Sequence, residues 1–186
     1  MVRCVFFLSV AAALPLAACA TRDPAVGQSD VTNVGNWKVE RQIDRITGTP
    51  LASAMLSAPS SHASEPFPKQ VLMQLTCFGH APLVRFAFEA KVGTTRNATF
   101  GYRFDERPGH EIKPRYLENA RVAVIDDAAD VKQFVDELAT AHTLYVRIRS
   151  LSFGRTTAEF HVDGAPAAIA AAYKDCPREA DQPKRR

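Results

Sequence analysis

Val71-Leu72-Met73-Gln74-Leu75-Thr76-Cys77 is the stretch on which the fold turns. Val71, Met73, Leu75 and Cys77 alternate with Leu72, Gln74 and Thr76, the period-two pattern of a strand with one buried face. The next run, Leu83 to Lys91, repeats it, with Val84, Phe86 and Phe88 on one side and Arg85 opposite. Upstream, Trp37 to Gln42 and Leu51 to Leu56 read as two further strands joined through the turn signal Thr47-Gly48-Thr49-Pro50. The Ser/Pro/His-rich residues 58–69 between them and Val71 read as an exposed loop.

Downstream, Phe100, Tyr102 and Phe104 share a face, with Arg103 and Asp105 projecting the other way. A short strand ends at Asp126 and Asp127, both suitable helix caps. The helix they open carries Val131, Phe134, Val135 and Leu138 as a single core-facing stripe. Leu144, Val146 and Ile148 then alternate with Tyr145, Arg147 and Arg149, Gly154 and Arg155 turn the chain, and a strand runs from Thr157 to Val162. Gly164, Ala165 and Pro166 start a final helix, where proline suits the first turn. Strands dominate and two helices come late. The expected fold is mainly β (α+β): an antiparallel β-sandwich or open barrel with two short helices packed at one side.

The chain has 186 residues, 46% of them apolar, enough for one domain with a real core. The formal charge of +3 is mild, and Lys and Arg are interspersed with Asp and Glu, so no nucleic-acid footprint is present. The basic cluster Lys184-Arg185-Arg186 closes a polar tail, residues 177–186, and reads as a solvated terminus.

Arg3 is the only charge before Arg22, and the apolar run between them is too short to span a bilayer comfortably. A basic start, an apolar middle and a small-residue end are the parts of a secretory signal peptide. Ala18-Cys19-Ala20 would suit ordinary cleavage after Ala20, whereas Leu16-Ala17-Ala18-Cys19 matches a lipobox. Over its first nineteen residues the sequence resembles bacterial lipoprotein precursors. That resemblance implies removal of residues 1–18 and acylation of Cys19. Ala20, where an inner-membrane retention signal would usually show Asp, implies an outer-membrane lipid anchor with the domain facing the periplasm. Residues 19–36 read as a flexible tether, and 37–176 as the globular domain.

Cys4 goes with the signal and Cys19 with the lipid, which leaves Cys77 and Cys176 in an oxidising compartment. A disulfide between them is expected, pinning the terminal helix to the sheet. The rivals are two free thiols or a metal site, and only His80 lies near either cysteine at ligand spacing.

Catalytic signatures are not found. The five histidines form no HExxH pair, no GxSxG or SxxK marks a nucleophile, and there is no glycine-rich phosphate loop. His161 and Asp163 would share a strand face, an arrangement far commoner on surfaces than in catalysis. Asp105 and Glu106 face opposite ways, which is wrong for paired acid/base work. No cofactor or metal is expected.

Arg85, Arg103, Arg147 and Arg149, with Tyr145 among them, all fall on outward strand faces. If the strands are neighbours, they form a surface for an acidic partner or a carboxylate-bearing wall polymer. The plainer reading is that strand exteriors carry charge for solubility.

From Trp37 onward, the order of a paired hairpin, VLMQLTC, the YRFD strand (Tyr102 to Asp105), a helix running into AHTLYVRIR and AEFHVDGAPAAIAAAYKDC is similar to the VasI/TagO-like envelope proteins associated with type VI secretion. These bear a similar strand cysteine and terminal-helix cysteine. The resemblance implies an accessory or assembly role with no catalytic residues. The expectation is a non-enzymatic envelope lipoprotein that binds a protein partner or peptidoglycan. The alternative is an inhibitor of a wall hydrolase such as lysozyme.

Overall fold

The computed structural model describes residues 29–62, 68–79 and 81–176. Residues 1–28, which hold the expected signal segment and Cys19, and the tail 177–186 lie outside the described residues. Among the described residues, eleven strands join one antiparallel sheet, curled into a half barrel. Of the two expected architectures, the open barrel is therefore the one observed, and no second sheet faces it among the described residues.

The strands are β1 (Asp30–Val34), β2 (Trp37–Ile43), β3 (Pro50–His62), β4 (Lys69–Phe78), β5 (Ala81–Phe88), β6 (Ala98–Phe104), β7 (His110–Ile112), β8 (Arg115–Leu117), β9 (Val122–Ile125), β10 (Thr143–Ser150) and β11 (Gly154–His161). Helix α1 (Ala128–Leu138) lies between β9 and β10, and α2 (Ala165–Ala172) follows β11. The main path runs β7-β6-β10-β11-β3-β4-β5-β9-β8, with β2 and β1 branching from β3.

The branch makes the curl. One edge of β3 pairs with β2 from Pro50 to Met55 and with β11 from Ser60 to His62, while its other edge pairs with β4 from Ser53 to Ser60. Two partners leave the same edge, and the gap between them is closed by single bonds. Asn36 donates its backbone N–H to Asp163 O (3.3 Å) and its side-chain amide to His161 O (3.1 Å). The buried Trp37 indole donates to Val162 O (3.3 Å).

Two expectations need correction. Residues 30–34, read as tether, are strand β1 paired with β2, and the domain begins there rather than at Trp37. Residues 58–62, read as loop, continue β3, because both of its edges find backbone partners. The short β7 and β8 and their pairing with β6 and β9 were not foreseen.

The concave face holds the core. Val71, Met73, Leu75, Val84, Phe86, Phe100, Phe104, Leu144, Val146 and Ile148 are buried there, as their alternation requires. Helix α1 covers one part, with Phe134 packed edge-on against Phe86, Tyr102 and Phe104 at 5.0–6.0 Å between ring centres. Asp127 is its N-cap, accepting from the backbone N–H of Ala129 (3.0 Å) and Asp130 (3.2 Å). Helix α2 buries only Ala165, Ala168 and Ala172, small residues that let its backbone approach β2, β3 and β4. It is tied down beyond its end. Tyr173 Oη donates to Leu83 O (3.0 Å), and Cys176 is bonded to Cys77, with Cα atoms 5.8 Å apart. Burial pushes the Tyr173 hydroxyl well above the usual phenol range.

Candidate functional site: an arginine groove on the outer face

The register sets the outer face of β6, β10 and β11 in rows. Arg103 stands opposite Tyr145 and Tyr145 opposite Glu159, Gly101 opposite Arg147 and Arg147 opposite Thr157, Thr99 opposite Arg149 and Arg149 opposite Arg155. Strand β7 extends the middle row, with Glu111 opposite Gly101. Arg103, Tyr145, Arg147 and Arg149 are therefore brought together as expected.

Arg85 is not part of this group. Strand β5 lies four strands from β10, and the Arg85 guanidinium pairs with Glu118 and donates to Gln74 Oε1 (3.5 Å). It stands in register with Val124, which is buried on the outer face of β9. Its role is to brace the β4-β5-β9 side of the sheet.

Gly101 shapes the site. Lacking a side chain, it leaves a depression in which the Arg147 guanidinium lies, so close that a Cβ would sit 3.3 Å from Nη2. The resulting groove, about 470 Å³, is lined by Gly101, Arg103, Glu111, Tyr145, Arg147 and Thr157. Arg147 Nε is buried there without a hydrogen-bond partner among the described residues. Its Nη2 stands 3.8 Å from Glu111 Oε2, beyond hydrogen-bonding distance. The Arg103 guanidinium lies over the Tyr145 ring, 5.0 Å from its centre, and 3.7 Å from Glu106 Oε2. Arg149 and Arg155 face each other directly, a like-charge pairing that destabilises a sheet unless an anion intervenes.

The floor is rigid. His110 Nε2 lies 2.9 Å from Glu137 Oε1 on α1, and its Nδ1 lies 3.2 Å from Gln133 Nε2, which fixes β7 against the helix. Arg107 donates to the carbonyls of Glu137 (3.1 Å) and Thr140 (2.9 Å) and closes the end of α1. Beneath the groove, burial and then Glu137 push the Tyr102 hydroxyl far above the phenol range, so it stays neutral.

Chemically, the groove is a set of donors, two guanidiniums and two hydroxyls, with weakly held carboxylates at its edge. An incoming carboxylate would displace Glu111 and take a charge-assisted bond to Arg147. Gly101, Glu111, Arg155 and Thr157 escaped sequence reading, since a groove depends on strand order. Only Arg155, placed in a turn, carried a usable signal in its charge.

The two pairs that the sequence reading set aside have other partners. Asp105 accepts from the backbone N–H of His142 (3.0 Å) and Thr143 (2.8 Å), holding the start of β10. Asp163 lies 3.3 Å from His142 Nδ1 rather than beside His161, and both partners are exposed. His80 and Cys19 lie outside the described residues. Among the described residues no three His, Cys, Asp or Glu side chains are grouped to hold a metal ion.

A second concavity of about 570 Å³ lies between Lys91, Arg96 and the β8–β9 turn. Glu118, Asn119 and Ala120 there have φ of 51°, 57° and 71°. That turn is held by Ala120 O, which accepts from Val92 N (2.7 Å), and Glu118 is occupied by Arg85.

No protein-family model, no curated protein and no solved structure matches the chain.

Proposed function

We propose that the chain is a non-enzymatic envelope lipoprotein, anchored through acylated Cys19 to the outer membrane. Its half barrel faces the periplasm and binds a carboxylate-bearing partner, an acidic protein segment or peptidoglycan, on the outer face of β6, β10 and β11. An accessory role in type VI secretion is the finer form of this reading and rests on the order of strands and cysteines. The observation that carries the binding site is Arg147, a half-buried guanidinium lying on Gly101 with its Nε unpaired. A guanidinium held this way is preorganised for a planar anion, so less side-chain freedom is lost on binding.

The test is photocrosslinking in cells from a probe at Thr157, on the groove wall, compared with one at Gln74, two strands away on the outer face and outside the groove. Capture of an envelope protein or wall material from position 157, lost in Arg147→Ala, supports the reading. Equal capture from both positions, or none from 157, removes the groove as a binding site. Cys19→Ser reports on the anchor separately. Release from the membrane fraction is expected, and persistence there refutes lipidation.

A further inference from the structure

Large apolar side chains are left exposed mainly at one rim of the half barrel. Ile46 is 83% exposed and Phe78 76%, with Ile43 at 48% and Leu51 at 43%. Ile43 pairs with Pro50, and continuing the β3–β4 register two residues past Ser53–Thr76 sets Leu51 across from Phe78. The end of β2, the β2–β3 turn, the start of β3 and the end of β4 therefore bring these four to one rim, with Leu51 and Phe78 on one face of the sheet and Ile43 on the other.

Both ends of the described chain lie at the same rim. Asp30 pairs with Arg41, two residues from Ile43. Cys176 is bonded to Cys77, the neighbour of Phe78. Nine residues, 20–28, separate Cys19 from Ser29; ten Cα–Cα steps reach at most about 36 Å and span about 17 Å on average for a flexible chain. The ten residues after Cys176 carry Arg178, Lys184, Arg185 and Arg186 against Glu179 and Asp181.

We infer that this rim is a membrane-contacting edge: Ile43, Ile46, Leu51 and Phe78 seat in the headgroup region of the phospholipid bilayer that holds the lipid anchor. The inference rests on the lipoprotein reading, because the anchor delivers the rim to the surface. A lipid chain is strengthened by a second signal, and both exposed apolar groups and basic residues supply one. Apolar groups scattered over a surface need no explanation, but four along one rim, beside both ends of the described chain, are a patch with a direction. Seated this way, the sheet stands upright on the membrane. The far rim, with Leu151 in the β10–β11 turn, then points into the periplasm.

The test uses the full chain exported from cells, reconstituted in phosphatidylethanolamine vesicles containing phosphatidylglycerol, with a tryptophan placed at Phe78 or at Leu151. Trp37 is fully buried, so it contributes a constant background. Phe78→Trp is expected to emit further to the blue and to lose most of its added emission to brominated lipids, while Leu151→Trp is not quenched. Ile46→Trp gives a second reporter on the rim should Phe78→Trp fold poorly. Membrane-bound protein with no quenching at 78 or 46 overturns the inference and leaves the anchor standing. So does a dimer in detergent with the rim reporters already shifted, since a second copy then covers the patch. The mass of the N-terminal peptide reads the anchor independently. An unacylated Cys19 sinks the lipoprotein reading, and the membrane edge falls with it.

Discussion

Gly35 and Gly164 meet backbone to backbone across the gap between β2 and β11. A Cβ on Gly35 would fall 2.4 Å from Asp163 O, and one on Gly164 would fall 2.7 Å from Val34 O. Both have positive φ, 58° and 89°, so any side chain there also strains its own backbone. Gly35→Ala and Gly164→Ala are each expected to cost about 3 kcal/mol, from left-handed strain plus overpacking. Urea unfolding checks this, and a loss under about 1 kcal/mol for either would mean that the seam can open without cost.

Replacing the bond between Cys77 and Cys176 by two serines should destabilise the domain by about 2–4 kcal/mol, since it closes a separation of 99 residues. Helix α2 buries only alanines, so its amide protons should lose protection before those of β4. Hydrogen exchange on the double variant tests that order.

In the arginine group, binding and stability should separate by residue. Arg147→Ala is expected to weaken partner capture about tenfold or more, the loss of one charge-assisted bond, with little change in the unfolding midpoint. Gly101→Ala should act similarly by pushing the guanidinium outward, because its nearest obstacle is the end of a flexible side chain. Arg85→Ala should leave capture unchanged and lower stability, since it bridges β5 to the β8–β9 turn. Equal capture by Arg147→Ala and wild type would contradict the groove assignment.

The Thr143 N–H, then that of His142 and the charge of Arg107, hold the Asp105 carboxyl below the usual carboxylate range, against a smaller opposing effect of burial. A depressed folded pKa means stability that is present above the ordinary Asp range and lost as pH falls through the folded value. Asp105→Asn keeps a residue tolerant of φ 46° and removes the charge. The midpoint gap between wild type and Asp105→Asn should be widest near neutrality and narrow on acidification. A gap independent of pH would assign Asp105 a purely steric role.

The parts legible in sequence were those with a strong period. The alternation of β4 and β5, the apolar stripe of α1 and its Asp127 cap all appear where expected, because one face is buried and the pattern reports it. Strand β1, Asp-Val-Thr-Asn-Val, is exposed along nearly its whole length and forms because β2 offers a free edge, a cause no local pattern records. Pro59, Ser60 and Ser61 have poor strand propensity, yet they extend β3 between two partners. Outward-facing arginines were likewise legible one strand at a time. That Arg85 stands apart and Arg147 lies on Gly101 depends on strand order, which long-range pairing decides.

Strand β3 carries one further consequence, in the order of assembly. Most other strand pairs are local, within the β1–β5 meander or the β6–β7, β8–β9 and β10–β11 hairpins, while β5–β9 and β6–β10 join segments of intermediate separation. The β3–β11 ladder spans only Ser60 to His62 against Thr156 to Ala158, and joins segments almost a hundred residues apart. Contacts that close so long a loop come late in folding. An emerging chain would carry its early meander finished, with Cys77 waiting on β4, until the last fifth of the sequence arrives to complete the weld and deliver Cys176. The staple is therefore a record of completion: oxidation between these two cysteines marks chains whose halves have met.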